Sequence, residues 1–482
     1  MNDTAFALSS LAPALPEIYL AAAACVLLLA DAFAGPKHAR LMVTLTVLIL
    51  AVGAGLTSAY AHVQERTLLF DGLYVADPLA YFLKLFGFLF VVFAVLYSRN
   101  YLKERGLLRG EYFVLMLTAL LGVFVLASAA NLITVYIGVE LLALSVYGMV
   151  AFDRDSGIAA EAAMKYFVLG AIASGTLLYG MSLIYGLTGT LSLDELASTL
   201  STKELSTGLI LGLVFVVVAV AFKLGAVPFH MWLPDVYHGA PTSVTLFIGT
   251  APKLAYFALT FRLLAQGLQG ATPQWTQMLA VLAVLTLIVG NLVALAQTNL
   301  KRLLAYSTIA NVGFILLGFV PGTPGGYSAA LFYTLIYVLV ALGSFGVILF
   351  ASRQGFEADE LEHYKGLYKR DPLLALFMML FMFSTAGVPP FAGFWAKLRI
   401  IQELWATGHT LLVLIAAGVS VIGVFYYLRI VKLMYFDAPG DLPVPDGRQT
   451  DVKLALGLNA LAVLGLGLLP GPLLELCARL IR

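Results

Sequence analysis

Apolar positions in this chain come in blocks of about twenty, separated by short polar stretches. About fourteen such blocks can be counted, near 15–34, 40–58, 76–98, 111–128, 131–150, 160–186, 208–229, 241–262, 276–297, 303–320, 327–351, 373–397, 409–431 and 452–480. Roughly 20 apolar residues is the length at which an α-helix crosses the hydrocarbon core of a bilayer. Strands of a membrane barrel are about half as long and alternate residue by residue, which these blocks do not. The expected fold is all-α integral membrane with about 14 transmembrane helices. Composition agrees, since 61% of residues are hydrophobic and 11% charged, against roughly 25% charged in a soluble domain.

The polar stretches carry an asymmetric charge. With fourteen spans, alternate loops on one side collect Lys37, Arg40, Arg99, Lys103, Arg105, Arg109, Arg154, Lys301, Arg302, Arg353, Lys365, Lys369, Arg370, Lys432 and Arg448. The other side has Arg66, Lys203, Arg262, Arg479 and Arg482, and a mildly acidic loop around Leu187–Thr207. Basic loops stay in the cytoplasm. The chain is therefore predicted to be a multi-pass protein with both termini facing away from it. Asp3 and Glu17 precede the first basic residue, Lys37, so the first block reads as a retained helix, not a cleaved leader.

An internal echo organises the middle of the chain. Phe222–Trp232, FKLGAVPFHMW, resembles Phe383–Trp395, FSTAGVPPFAGFW, with small residues, Val-Pro, Phe and then Trp. The spacing of about 160 residues implies a repeat of five helices. Five is odd, so the second copy is expected upside down, an arrangement used by transporters with broken helices and a pathway near the midplane. The expected division is residues 1–110 as three N-terminal helices and 111–262 as the first repeat. Residues 276–431 then form the inverted repeat, and 452–482 a C-terminal helix.

Ionisable residues at membrane depth are functional candidates by default. Glu140, Lys165, Lys223, Lys253 and Lys397 lie inside or beside apolar blocks. Lys84 is a sixth candidate outside the repeat, and Lys165 lies near a helix end, where it can snorkel. Lysine suits proton relay, because burial penalises its charged form and a nearby carboxylate restores it. Glu140 and Lys223 read either as such a switched pair or as a permanent ion pair joining helices. Four lysines in excess of carboxylates favour the first. Pro228 and Pro389–Pro390 break helices, and freed backbone groups are tolerated only inside protein or along a wet cavity. His230, just after Pro228, is a possible relay. Ser174, Thr250, Tyr306, Ser307 and Thr308 are polar positions suited to water chains.

Cys25 and Cys477 stand far apart, with no CxxC or His/Cys cluster, so no metal or iron–sulfur site is expected in this chain. A net charge of +1 gives no pointer to nucleic acid, and no such partner is expected.

The run Gly225–Thr242, GAVPFHMWLPDVYHGAPT, followed by Ala251–Ala255, APKLA, resembles the antiporter-like membrane subunits of respiratory complex I. Its D-V-Y-x-G-A-P-T and A-P-K continuations favour the subunit N type. The resemblance covers nearly the whole chain. It implies a proton-translocating subunit of a bacterial NADH:quinone oxidoreductase in the inner membrane, working among other membrane subunits. Flavin, iron–sulfur clusters and quinone would belong to those partners. On this pattern Glu140 matches the fifth-helix glutamate, Lys165 a sixth-helix lysine, and Lys223 the lysine of the broken seventh helix. Lys253 matches the eighth-helix lysine and Lys397 that of the broken twelfth. The alternative is a stand-alone or related-complex cation/proton antiporter subunit of the Mrp or membrane-hydrogenase type.

Overall fold

The computed structural model describes residues 8–35, 38–61, 65–202, 204–439 and 449–481. Of the charged residues named so far, Asp3, Lys37, Lys203, Arg448 and Arg482 lie outside them.

The chain is helical nearly throughout. It opens with α1 (Leu15–Ala34) and α2 (Ala39–Tyr60), then a short hairpin of β1 (Thr67–Leu69) and β2 (Tyr74–Ala76). Next come α3 (Pro78–Glu104), α4 (Gly110–Ala127), α5 (Leu132–Val150) and α6 (Gly157–Thr188). A short surface helix, α7 (Leu193–Thr202), sits in the acidic loop expected there. The next crossing is split into α8 (Thr207–Leu224) and α9 (Trp232–Gly239). The one after it is also segmented, as α10 (Thr242–Ile248), α11 (Ala251–Thr260) and a π-helical turn at Phe261–Gly267. Long helices α12 (Thr272–Leu295), α13 (Leu300–Phe319) and α14 (Pro324–Ala351) follow. After the single turn α15 (Leu367–Arg370), a second split crossing is made of α16 (Pro372–Ala386) and α17 (Ala392–Ala406). The chain closes with α18 (Thr410–Phe436), α19 (Thr450–Leu468) and α20 (Gly471–Leu480).

Thirteen helical stretches of the described residues are long and apolar enough to cross a membrane. The split pair α16–α17 makes the fourteenth crossing, in agreement with the number of apolar blocks. The last block, expected as one helix over 452–480, is instead broken at Leu469–Pro470 into α19 and the short α20. Proline there lacks the N–H a continuing helix needs.

Helix starts follow the local sequence. Asn131, Ser156, Ser206, Asn299, Thr323 and Asp371 each accept a backbone N–H from the first turn of the helix they precede, satisfying donors that have no intrahelical partner. A matching construction recurs around two of these caps. Leu132 N–H donates to Leu191 O (2.9 Å) and Leu193 N–H to Ala130 O (3.0 Å). At positions offset by 168 residues, Leu300 donates to Asp359 O (2.5 Å) and Leu361 to Thr298 O (2.9 Å). Each loop thus clamps the start of a spanning helix, α5 or α13, in the same way.

The core is α10–α11, α13 and α14, whose residues are almost all buried, while α1, α2 and α18 turn most of their surface outward. Polar residues therefore sit deepest in the centre of the bundle. Arg262, expected among the loop charges, is a correction: it lies inside the buried segment and is 1% exposed. The crossing runs on past Arg262 through the π-helical turn, which carries this residue inward.

Candidate functional site

The two helix breaks have the same backbone construction. α8 ends at Gly225 and α16 at Gly387, both with φ 84° and ψ 34°, a left-handed conformation that glycine adopts without a Cβ penalty. In each break the glycine N–H and the next residue's N–H turn back onto the preceding carbonyls: Gly225 and Ala226 onto Ala221 O, Gly387 and Val388 onto Phe383 O. The offset is 162 residues, which aligns Pro228 with Pro390 and Phe229 with Phe391. In this register Trp232 and Trp395 are not equivalent. Trp232 donates to Phe222 O at its own break (3.0 Å), whereas Trp395 donates to Gly467 O near the end of α19 (2.8 Å).

Several of the freed groups are met by side chains. Val227 N–H donates to Thr286 Oγ1 on α12 (2.9 Å). The last carbonyl of α8, Leu224 O, accepts from Lys253 Nζ on α11 (3.2 Å). The last carbonyl of α16, Ala386 O, accepts from Lys397 Nζ on α17 (2.9 Å). A helix C-terminus carries a partial negative charge, so both lysines sit where an ammonium is stabilised without a carboxylate. The C-terminus of α9 is treated alike: Lys301 Nζ donates to Ala240 O (2.9 Å) and is 3% exposed. Lys301 is therefore an interior group, not the loop charge its sequence position suggests.

Lys223, one turn before the first break, is 3% exposed and donates to Ser174 Oγ on α6 (3.1 Å). Its counterpart at the 162-residue offset is Thr385, so the two halves do not carry their lysines at equivalent positions. Glu140 is half-buried on α5, with Oε1 buried and unpartnered among the described residues. Within those residues no ion pair within 4 Å joins Glu140 to Lys223, and none is formed by Lys253 or Lys397. The ring of Phe314 lies 5.3 Å from Lys397 Nζ.

Lys165 stands apart from this buried set. Its side chain is 46% exposed and pairs with Asp235 (2.8 Å) and Glu161 (2.9 Å). Arg302 reaches the other oxygen of Asp235 (3.1 Å). This four-residue cluster ties α6, α9 and α13 together at one rim. Burial alone would raise the Asp235 carboxyl, but Lys165 and Arg302 hold it below the usual carboxylate range. His230 lies half-buried in the first break, with Nδ1 buried and unpartnered among the described residues. Among those residues it makes no hydrogen bond to Lys223 or Lys253.

A polar chain only partly legible in the sequence runs between α13, α14 and α18. Tyr337 donates to Thr308 Oγ1 (2.7 Å) and Tyr333 to Asn311 Oδ1 (2.7 Å). Asn311 Nδ2 and Tyr427 OH both meet Ser307. A cavity of about 20 Å³ opens between Asn311, Tyr333, Tyr337, Thr385 and Lys397, enough for a water molecule with several polar partners. The hydroxyls Ser307 and Thr308 stand out as polar interruptions of their block. The tyrosines do not, since a tyrosine in an apolar block reads as packing.

A second buried charge group lies outside the repeat. Lys84, the sixth candidate, lies 2.6 Å from Glu17 Oε1 and donates to Tyr74 OH (2.8 Å), which in turn donates to Glu17 Oε2 (3.0 Å). Two turns earlier, at the start of α3, Asp77 binds Arg262 through both oxygens (2.7 and 2.8 Å). Arg262 also caps Ala127 O at the end of α4.

Fourteen crossings among the described residues, two of them broken at a glycine and proline, make this a membrane protein of the antiporter-like fold. Residues 129–423 match the family model described as NADH:quinone oxidoreductase/Mrp antiporter, transmembrane. The chain is 52% identical to NADH-quinone oxidoreductase subunit N of Thiobacillus denitrificans, over 98% of each chain. It is 50% identical to subunit N of Nitrosomonas europaea, again over 98% of each. Among solved structures it resembles a chain of respiratory complex I from Thermus thermophilus with bound aureothin. That match has a TM-score of 0.81 and 33% identity over 96% of this chain and 99% of the other. A chain of the Mrp complex from Dietzia, 24% identical with a TM-score of 0.84 over 97% of each chain, shares the fold. The chain belongs to the subunit N family of NADH-quinone oxidoreductase.

Proposed function

We propose that this chain moves protons through Glu140, Lys223, Lys253 and Lys397 as a membrane subunit of NADH-quinone oxidoreductase, driven by quinone reduction in partner subunits. The observation that carries this reading is that Lys223 and Lys253 are buried, and Lys397 half-buried beside a cavity, without a carboxylate counter-ion among the described residues. Lysines that merely glue helices together require an acidic partner, because an unpaired buried charge is costly. Lysines facing hydroxyls and helix-end carbonyls can exist with or without the extra proton, which is what a relay requires.

In this scheme Glu140 acts on Lys223 across a gap, by charge and not by contact. A negative Glu140 favours the ammonium form of Lys223, and its neutralisation favours release. The released proton passes by way of intervening water to Lys253, and from Lys253 through the hydroxyls of α13 and α14 to Lys397. The cavity beside Lys397 supports a water step there, since proton transfer needs donors and acceptors within hydrogen-bond reach. Lys165 and His230 stand as outlying candidates: the former belongs to the rim cluster with Asp235, the latter to the outer part of the first break.

The test is Lys223→Ala in the assembled complex in sealed vesicles, with NADH-driven acidification and quinone reduction followed together. Normal assembly with both activities sharply reduced supports the relay. Wild-type pumping and turnover overturn it.

A further inference from the structure

A roomy cavity lies away from the relay, between α2 and α3. It has a volume of about 320 Å³ and is lined by Arg40, Thr44, Arg99, Asn100 and Lys103, with Val43 and Leu108 closing its apolar side. Three cations and no acid line it. Arg99 is shared with Asp451 on α19. Arg40 and Lys103 have no acidic partner within 4 Å among the described residues.

Its position along the helices is the second observation. Arg40 is the second residue of α2 and Lys103 the second-last of α3, so the cations stand at the level where both helices leave the hydrocarbon region. Further along both helices the positions on the same faces are apolar. On α3 the positions further in, turn by turn, are Leu96, Phe93 and Leu89, half-buried to exposed. On α2 the corresponding line is Val43, Val47 and Ala51. A basic pocket at the rim continued by apolar, partly exposed helix faces has the chemistry of a phospholipid and not of a free anion or a water-soluble partner.

We propose that the α2–α3 cleft binds the phosphate headgroup of an anionic phospholipid, with its acyl chains along Leu96–Phe93–Leu89 and Val43–Val47–Ala51. Arg40 offers the planar fork that binds phosphate oxygens in pairs, and Lys103 adds a flexible point charge. Asn100 and Thr44 supply polar contacts for the glycerol region. Arg99, held by Asp451, would couple the bound lipid to α19.

The experiment uses the assembled complex in nanodiscs of phosphatidylcholine containing a trace of photoactivatable phosphatidylglycerol, with labelled peptides mapped by mass spectrometry. The expected result is label on residues 39–60 and 78–104. It should be displaced by unlabelled phosphatidylglycerol but not by phosphatidylcholine or inorganic phosphate. In Arg40→Gln/Lys103→Gln the label should fall by at least about fivefold, as loss of two basic residues at an anionic surface requires. Equal competition by phosphatidylcholine would mean an ordinary lipid annulus and overturn the proposal. Displacement by inorganic phosphate would make it a free-anion site and overturn it as well. Label on neighbouring subunits with none on residues 39–60 and 78–104 would mean that no lipid occupies the cleft, and overturn the proposal too. The competition arms use the unmodified complex, so they decide the matter even if the double variant fails to assemble.

Discussion

Lys253 Nζ lies 3.2 Å from the carbonyl oxygen of Leu224, which places a buried lysine amine against the end of a helix that stops inside the bundle. Lys397 stands in the same relation to Ala386 at the second break, at 2.9 Å. The lysines reach these carbonyls from different places, one from the neighbouring segmented crossing and one from the second half of its own. The repeated element is the carbonyl end, and each half of the molecule meets it with its own lysine.

This geometry separates two roles by substitution. Arginine keeps the positive charge and the donor to Leu224 O but does not give up a proton in proteins. If Lys253 is a relay, Lys253→Arg in the assembled complex should lose proton pumping by about tenfold or more, a barrier change of roughly 1.4 kcal/mol. Assembly should be retained. If Lys253 serves only to cap α8, Lys253→Arg should pump normally while Lys253→Met should not. Acidification rates in sealed vesicles distinguish the cases.

The lack of contact between Glu140 and Lys223 makes its own prediction. Glu140→Gln should leave assembly and thermal stability unchanged, because no ion pair is broken. Pumping should nevertheless fall, since the charge that favours the ammonium form of Lys223 is gone. A thermal midpoint lowered as far as that of a broken buried pair would show that the two groups do meet in the working protein.

Tyr337 and Asn311 line the cavity beside Lys397. Tyr337→Phe removes the donor to Thr308 with little change of volume, so it should slow pumping by a few-fold, consistent with one hydrogen bond of about 1 kcal/mol, and leave assembly intact. Asn311→Leu should be more severe, because it strips partners from both Tyr333 and Ser307. Initial rates of acidification at matched quinone turnover are the measurement.

The Arg262–Asp77 pair is structural in its consequences. Arg262→Met leaves Asp77 unpaired and Ala127 O without its donor, a loss on the order of 3–5 kcal/mol for a broken buried pair. Poor accumulation of the complex, or a lowered thermal midpoint, should follow. The double variant Asp77→Asn/Arg262→Met should recover part of that loss; a double variant as unstable as the single one would mean that the pair is not the source.

Asp235 supplies a pH test. Its carboxyl is held below the ordinary range by Lys165 and Arg302 against the opposing effect of burial. A depressed carboxyl contributes stability above its unfolded value, near about 3.9, and loses it only as pH falls through the lower folded value. The rim cluster is therefore intact through the neutral range, and Asp235→Asn should cause a modest defect that does not vary with pH there. A defect that grows or vanishes between mildly acidic and mildly alkaline buffer would assign proton-carrying work to this cluster.

Much of the architecture is legible in the order of residues. Blocks of twenty apolar residues admit only spanning helices in a bilayer, and prolines with glycines inside such blocks announce breaks. The deep lysines are equally plain, since a charge in an apolar block is conspicuous. A charge near a block's edge is harder to place. Arg262 and Lys301 read as loop residues, yet both are interior, because the distance from a helix end does not tell which way a long side chain points. Lys165 shows the converse, a lysine within a block whose side chain emerges at a rim.

Sequence alone determined the solvent of this protein, its helices and the residue types available for carrying charge. These depend on local composition and periodicity, which each segment states for itself. Only the tertiary structure decided what each lysine faces. Lys253 meets Leu224 across 29 residues and Lys223 meets Ser174 across 49, and the tyrosines of α14 reach the polar edge of α13 only because those helices pack side by side. In a medium without water a buried polar group must find its partner in another helix, and which helix that is depends on the packing of the whole bundle.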